Sequence, residues 1–99
     1  MRLLLALLAA AALAGCGPIR SQSALTDAEV ALEAARAAGA AQSATFEYVS
    51  AEAYLGKARE SANRARYESA ANFARKATKL AKDARDKALA SSNRPEPTP

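Results

Sequence analysis

The chain has 99 residues and a formal net charge of +4, and alanine supplies most of the 51% of residues that are hydrophobic. This length allows at most one small domain. There is one Cys and neither His nor Trp, which excludes an internal disulfide and the usual Cys/His metal sites, and we expect no cofactor.

The N-terminal segment has the pattern of a secretory signal peptide. Arg2 gives a positive start, and eleven apolar residues follow from Leu3 to Leu13, before the small residues Ala14 and Gly15. Such a run spans about 16 Å as a helix, roughly half of the hydrocarbon core of a bilayer. It is too short to cross a membrane but typical of a signal-peptide h-region. We therefore predict a signal peptide at 1–15.

The only cysteine follows this segment directly. The stretch Leu13-Ala14-Gly15-Cys16 resembles the lipobox of bacterial lipoproteins at every position. The resemblance implies cleavage between Gly15 and Cys16, a diacylglyceryl group on the Cys16 thiol and acylation of the new N-terminus. The alternative is an ordinary signal peptide followed by an unpaired cysteine, but a free, exposed thiol would be reactive in an oxidising compartment.

The residue after Cys16 bears on location. In enteric bacteria an Asp at this position tends to retain lipoproteins in the inner membrane, whereas this chain has Gly17. The resemblance therefore favours the outer membrane, with the chain facing the periplasm, and leaves the inner membrane as the alternative.

The rest of the chain divides into three parts by composition. Gly, Pro and Ser at 16–23 predict a lipidated, flexible tether, and helix-forming residues at 24–90 predict a helical domain. The segment 91–99 contains three prolines, cannot continue a helix and is predicted to be disordered.

A short first helix is predicted from a capping-box spacing, Thr26 with Glu29, to about Ala38. Gly39 is placed to end this helix, and 42–45 can connect it to the next. The apolar stripe of the helix, at spacings of three and four, consists of Leu25, Ala28, Leu32 and Ala35.

Two further helical stripes predict an antiparallel, alanine-rich hairpin. The first consists of Tyr48, Ala51, Leu55, Ala58, Ala62 and Ala65, and the second of Ala70, Phe73, Ala77, Leu80 and Ala84. A faint repeat at an offset of nineteen relates Tyr54-Leu55-x-Lys57-Ala58 to Phe73-Ala74-x-Lys76-Ala77. We place the turn at 63–66; one long helix over 46–90 is the alternative. The expected fold class is thus all-α, a short helix followed by a helical hairpin.

The run from Ala51 to Ala84 resembles the Domain of Unknown Function 4398 family of small helical bacterial lipoproteins, in its alanine spacing, its Tyr-Leu-x-Lys-Ala element and an aromatic residue, Tyr67, at the start of the next helix. It is also similar to one helix pair of a tetratricopeptide repeat. The resemblance departs at Arg66, where Gly-Asp or a similar turn sequence would be expected. It implies a fold and a location, and it brings no known activity.

Charge is distributed unevenly along the sequence. Residues 21–52 carry a net charge of −4, and residues 53–94 carry +7. These charges either neutralise one another between helices or form a cationic surface for a polyanion. The candidate polyanion-binding residues are Arg75, Lys76, Lys79, Lys82, Arg85 and Lys87.

We expect no enzyme, because the acidic pairs Glu29/Glu33 and Asp83/Asp86 have the spacing of surface residues and no phosphate-binding loop is present. Two functions remain. One is a structural or adaptor protein of the cell envelope, which would bind an envelope protein or a second copy of the chain. The other is an envelope protein that binds peptidoglycan, lipopolysaccharide or anionic lipid. Nucleic acid is not an expected partner, because a lipidated periplasmic protein does not meet it.

Overall fold

The structure, a computed structural model, describes residues 1–93, with the side chains of 11–16 excepted. Four helices follow in chain order: α1 Arg2–Ala37, α2 Ala40–Ser43, α3 Thr45–Asn63 and α4 Tyr67–Ser92. The described residues contain no strand, which confirms the prediction of an all-α fold. Disorder was predicted for 91–99, but Ser91 and Ser92 belong to α4, which corrects the start of the predicted tail. The part of the tail from 94 onward lies outside the described residues.

The first helix is much longer than predicted. Instead of beginning near Ala24, α1 begins at Arg2 and continues through the segment 16–23, which was predicted to be a tether. Leucine and alanine are strong helix formers, and Pro18 has a φ angle that a helix accepts although it removes one backbone hydrogen bond. Ser21, within this segment, is buried at 3% exposure, and its hydroxyl donates to the carbonyl of Pro18 at 3.3 Å.

The predicted capping box at Thr26 is wrong, because Thr26 lies inside α1. Its hydroxyl donates to the Gln22 carbonyl one turn earlier, at 2.9 Å, instead of capping a new helix. The predicted stop at Gly39 is confirmed. Gly39 has φ +83°, the left-handed conformation that glycine adopts most readily, and its N–H donates to the Arg36 carbonyl.

The turn between α3 and α4 is three residues long, Arg64 to Arg66. The N–H of Arg66 donates to the carbonyl of Ser61 at 2.8 Å, and the N–H of Ala65 donates to that of Ala62 at 3.0 Å. This is the hydrogen-bond pattern of a Schellman motif. The left-handed position is occupied by Ala65, with φ +58°, where glycine is the usual residue.

Helices α3 and α4 lie antiparallel. Near the turn, the rings of Tyr54 and Phe73 are 6.1 Å apart, and at the far end Glu47 contacts Lys87. Helix α4 packs against both α1 and α3, which contact each other less. The three long helices therefore form a bundle with α4 in the central position.

Alanine dominates the core. The stripe predicted for α1 is buried in full, whereas in α3 the predicted stripe is buried only as far as Ala58. In α4, Phe73 and Leu80 lie at the margin of the core and other alanines take their place. The buried seam of α4 alternates spacings of four and three: Ala70, Ala74, Ala77, Ala81, Ala84 and Ala88. Small side chains allow helix axes to approach to about 8 Å, which pushes large residues to the edges.

Candidate functional site

Two regions of the molecule carry the predicted functional residues: the segment around Cys16 and the basic face of α4. Gly15 and Cys16 lie within α1. In the preceding segment, Leu3, Leu4, Leu5, Leu7 and Leu8 are between 65% and 81% exposed and lie outside the core cluster. Among the side chains that the structure describes, every buried residue of the core cluster lies between Leu25 and Ala88, downstream of Cys16.

Gly17, the residue after Cys16, lies directly against the bundle. A Cβ atom placed on Gly17 would be 3.5 Å from Cδ2 of Tyr67, in ordinary van der Waals contact. Tyr67 is the first residue of α4. Position 17 of α1 is therefore held beside the α3–α4 turn, at one end of the bundle.

The six basic residues predicted as one patch on α4 lie on two sides of that helix. Arg75, Lys79 and Lys82 line a groove between α4 and α1, together with Arg20 of α1. Arg85 lines the continuation of this groove. We call these five residues the groove cations. Apolar and small residues of α1 form part of the groove wall, including Ile19, Ala24 and Val30, and Asp27 is the acidic residue that lines it.

Lys76 and Lys87 lie on the other side, toward α3. The ammonium of Lys76 is 5.4 Å from the ring centroid of Tyr54. That of Lys87 is 3.0 Å from a carboxylate oxygen of Glu47, whose side chain is 21% exposed. The hydrogen bond from Lys87 holds the pKa of the Glu47 carboxyl below its usual value, and a backbone hydrogen bond acts in the same direction. These two cations are engaged in contacts between helices.

Ion pairs between helices occur at two heights of the bundle. Besides Glu47 with Lys87, Arg59 of α3 is 3.1 Å from Glu29 of α1. Arg36 donates to the hydroxyl of Tyr48 at 3.1 Å and also pairs with Glu33 at 2.9 Å. The hydrogen bond to Tyr48, followed by the charge of Glu33, raises the pKa of the Arg36 guanidinium. Part of the opposite charge of the sequence is thus paired between helices.

Two lysines and two aromatic rings form a cluster between α3 and α4. These four residues belong to the repeat at an offset of nineteen, but it was not predicted from the sequence that they contact one another. Lys57 lies 5.6 Å from the ring of Tyr54 and 5.8 Å from that of Phe73, while Lys76 lies over Tyr54. Equivalent positions of the two repeat copies therefore face one another across the hairpin. Each such cation–π contact contributes about 0.5–1 kcal/mol at an exposed site.

The acidic pairs of the sequence lie on the surface. Glu29 and Glu33 are in the ion pairs above, and Asp86 is 3.3 Å from Arg85. Among the side chains that the structure describes, no group of three or more His, Cys, Asp or Glu residues is placed to hold a metal ion. None of the helices in the described part of the chain is both long and apolar enough to cross a membrane.

Comparison with known proteins gives no relative: no protein-family model matches the chain, and no curated protein or solved structure matches it. The resemblance to the Domain of Unknown Function 4398 family and to a lipobox stays a prediction from the residues.

Proposed function

We propose that this chain is a lipoprotein, anchored to a membrane through Cys16, that acts as a non-catalytic structural or adaptor protein of the cell envelope. The observation that carries the proposal is the Leu13-Ala14-Gly15-Cys16 motif at the end of an apolar run of signal-peptide length. Acyl chains on Cys16 would hold the chain at the bilayer, since each buried CH₂ contributes about 0.8 kcal/mol and two or more chains give stable anchoring.

Two structural features support cleavage before Cys16. Among the described side chains, the core cluster lies downstream of the cleavage site, so cleavage leaves all of these core residues in the chain. Pro18, which removes a hydrogen bond from the middle of the long α1, would lie in the first turn of the shortened helix. Proline is well tolerated there, because the first N–H groups of a helix have no partner within the helix.

We place the anchor in the outer membrane, facing the periplasm, because Gly17 and not Asp follows Cys16. The test is to follow the chain through membrane fractionation in an enteric host. The wild-type chain should stay with the outer membrane after high-salt and alkaline washes, whereas Cys16→Ser should accumulate as unprocessed precursor. Gly17→Asp should shift the chain to the inner membrane. Gly17→Ala is the control, because the added Cβ makes only an ordinary contact with Tyr67. Wild-type chain that washes off the membrane would contradict the proposal.

The second candidate function is binding of an envelope polyanion, such as peptidoglycan, lipopolysaccharide or anionic lipid. The groove cations favour it, because Arg20, Arg75, Lys79, Lys82 and Arg85 share one groove with a single lining carboxylate, Asp27. Polyanion binding weakens with ionic strength, whereas docking of an apolar surface does not.

The two functions predict different results for charge reversal. If the groove binds a polyanion, Lys79→Glu/Lys82→Glu should abolish retention on that polyanion and leave the helical circular dichroism unchanged. Lys76→Glu, on the side of α4 that faces α3, is the control and should bind as the wild type does. If the chain is instead an adaptor that docks by apolar contact, the wild type, Lys79→Glu/Lys82→Glu and Lys76→Glu should all bind the partner, also at high salt.

A further inference from the structure

We infer that the α3–α4 turn forms the membrane-facing end of the bundle, and that arginines around this end bind the phosphate-bearing headgroups of anionic lipids. This inference rests on the proposed acylation of Cys16. It concerns which end of the bundle meets the bilayer and which side chains make the contact, and neither follows from the anchor motif alone.

The position of Gly17 fixes which end lies near the membrane. A lipoprotein with a flexible tether of eight residues could place any of its surfaces against the bilayer. Here the backbone of Gly17 lies against the ring of Tyr67, next to the α3–α4 turn. Since Gly17 directly follows Cys16, there is almost no free chain between the acylated residue and the packed bundle. The α3–α4 turn is therefore held at the level of the headgroups.

The side chains at this end have the charge that an anionic surface requires. Arg64 and Arg66 are exposed in the turn itself. Arg20 and Arg75 lie beside Gly17 and Tyr67, where all four line one depression of the surface together with Ala71 and a single acidic residue, Glu68. Arg64 pairs with Glu60 at 3.1 Å. Within the described residues, Arg20, Arg66 and Arg75 have no carboxylate within 4.0 Å, and their guanidinium groups are suited to phosphate.

Charge also changes sign along the bundle. The half nearer the turn, residues 17–29 and 54–79, contains eight Lys or Arg and four Asp or Glu, a net charge of +4. The half farther from it, residues 30–53 and 80–93, contains four Lys or Arg and five Asp or Glu, a net charge of −1. An anionic bilayer attracts the first half and not the second, and basic residues near such a surface contribute about 1 kcal/mol each. The electric field of the membrane thus favours the same orientation as the short link to Cys16.

The far end of the bundle, at the connection between α1 and α3, then projects away from the bilayer. Helix α3 has 19 residues, so at about 1.5 Å per residue the two ends are separated by about 28 Å. A probe near the turn and a probe near the connection should therefore differ greatly in their contact with headgroups.

The experiment uses the full chain, purified from membranes in its acylated form and reconstituted into vesicles. Because acylation consumes the Cys16 thiol, Asn63→Cys and Gln42→Cys each offer one free thiol for a fluorophore, at exposed positions near the turn and near the connection. The vesicles contain phosphatidylethanolamine and phosphatidylglycerol, with a small fraction of lipid that carries a nitroxide quencher on its headgroup. We expect quenching at position 63 to be several-fold stronger than at position 42. Equal quenching at the two positions, or stronger quenching at 42, would overturn the orientation.

The role of the arginines is tested with Arg20→Gln/Arg66→Gln in the Asn63→Cys background. In anionic vesicles, quenching of this variant should fall to a low reference value. That value is the quenching of the parent Asn63→Cys protein in phosphatidylcholine vesicles, or in anionic vesicles at about 1 M salt, where the Debye length is about 3 Å. Arg36→Gln/Lys87→Gln removes the same charge from the far half, at residues outside the groove, and should quench as the parent does. Quenching that is independent of lipid charge, salt and both substitutions would overturn headgroup binding.

Flotation of the vesicles separates this inference from the proposed function. Acylated chain floats with the vesicles regardless of orientation, so the quenching experiment is read on floated protein. Chain that purifies without acyl groups and does not float would overturn the anchor and, with it, the orientation.

Discussion

Two residues of this bundle adopt a left-handed backbone conformation, Gly39 after α1 and Ala65 after α3. Both end a helix and allow the chain to reverse direction. Glycine adopts this conformation without a steric penalty, whereas a residue with a Cβ is disfavoured by roughly 1–2 kcal/mol. The left-handed conformation therefore costs more conformational free energy at Ala65 than at Gly39.

Gly39→Ala should lower the free energy of unfolding by about 1 kcal/mol, since the new Cβ is disfavoured at φ +83°. The cost is conformational, because nothing lies within 4 Å of a Cβ at this position. Gly56→Ala is the matched control: it also has open space, but it lies inside α3, where alanine is favoured by about 0.5–1 kcal/mol. Urea denaturation should therefore move the two midpoints in opposite directions. A shift of both in the same direction would contradict the backbone conformation at residue 39.

At the scale of the elements, the hairpin depends on a few large side chains in an alanine seam. Leu55 of α3 is 2% exposed, and Tyr48 at 6% is the aromatic residue of the core. Around them the core consists of alanine methyl groups, each of which buries little area. Loss of one large side chain should therefore affect the whole bundle.

Leu55→Ala should destabilise the bundle by about 2–4 kcal/mol, the cost of a core cavity that neighbouring helices fill only in part. Val49→Ala removes a side chain of the same helix that is 54% exposed, and it should change stability by less than about 0.5 kcal/mol. Thermal unfolding followed by circular dichroism measures both. Equal effects of the two substitutions would show that Leu55 is not a core residue.

The contact between Glu47 and Lys87 should make the hairpin sensitive to acid. The pKa of Glu47 is lowered in the folded state from the ordinary value of 4.5. A lowered pKa means that the carboxylate stabilises the fold above about pH 4.5 and that this contribution is lost as the pH falls through the folded-state pKa. Wild type should therefore be more stable than Glu47→Gln at pH 7, and the difference should vanish near the acid limit. Glu68→Gln is the control, because the Glu68 carboxylate forms no ion pair with any described residue. A stability difference that grows toward low pH would refute the contact.

Sequence periodicity predicted the elements well where one apolar stripe was present. The stripe of α1, the stripe of α3 as far as Ala58 and the stop at Gly39 followed from spacing and residue type. In α4 two adjacent stripes compete, one containing Phe73 and Leu80 and one of alanines alone. Periodicity cannot choose between them, because the choice depends on how closely the helix axes approach.

Other features could not be read from local sequence. Thr26 and Glu29 have capping-box spacing, but the chain before them also forms helix, so no new helix starts there. The turn at Ala65 lacks the expected glycine and is fixed by hydrogen bonds to Ser61 and Ala62. For the basic residues, helical spacing separates Lys76 and Lys87 from the groove cations. Which of these two sides faces α3 and which faces α1 required the packing of the bundle.

For the molecule as a whole, residues 1–10 and the bundle are structurally separate. Leu3, Leu4, Leu5, Leu7 and Leu8 are exposed, and among the described side chains the core cluster begins at Leu25. A chain that begins at Gly17 should therefore unfold with the same denaturant midpoint as the full chain in detergent, within experimental error. A shorter chain that lacks all residues up to and including Ala28 loses Leu25 and Ala28 from the core, and its denaturant midpoint should be clearly lower. A large loss of stability on removal of 1–16 alone would show that the segment belongs to the folded bundle.

The central claim is that Cys16 is an acylated N-terminus. Its most direct test is intact-mass and N-terminal peptide mass spectrometry of the full-length gene product purified from membranes. We predict a chain that begins at Cys16 and carries the mass of a diacylglyceryl group, with or without a further acyl chain on the α-amino group. A soluble chain with an unmodified Cys16, or a membrane-bound chain that still begins at Met1, would contradict the claim.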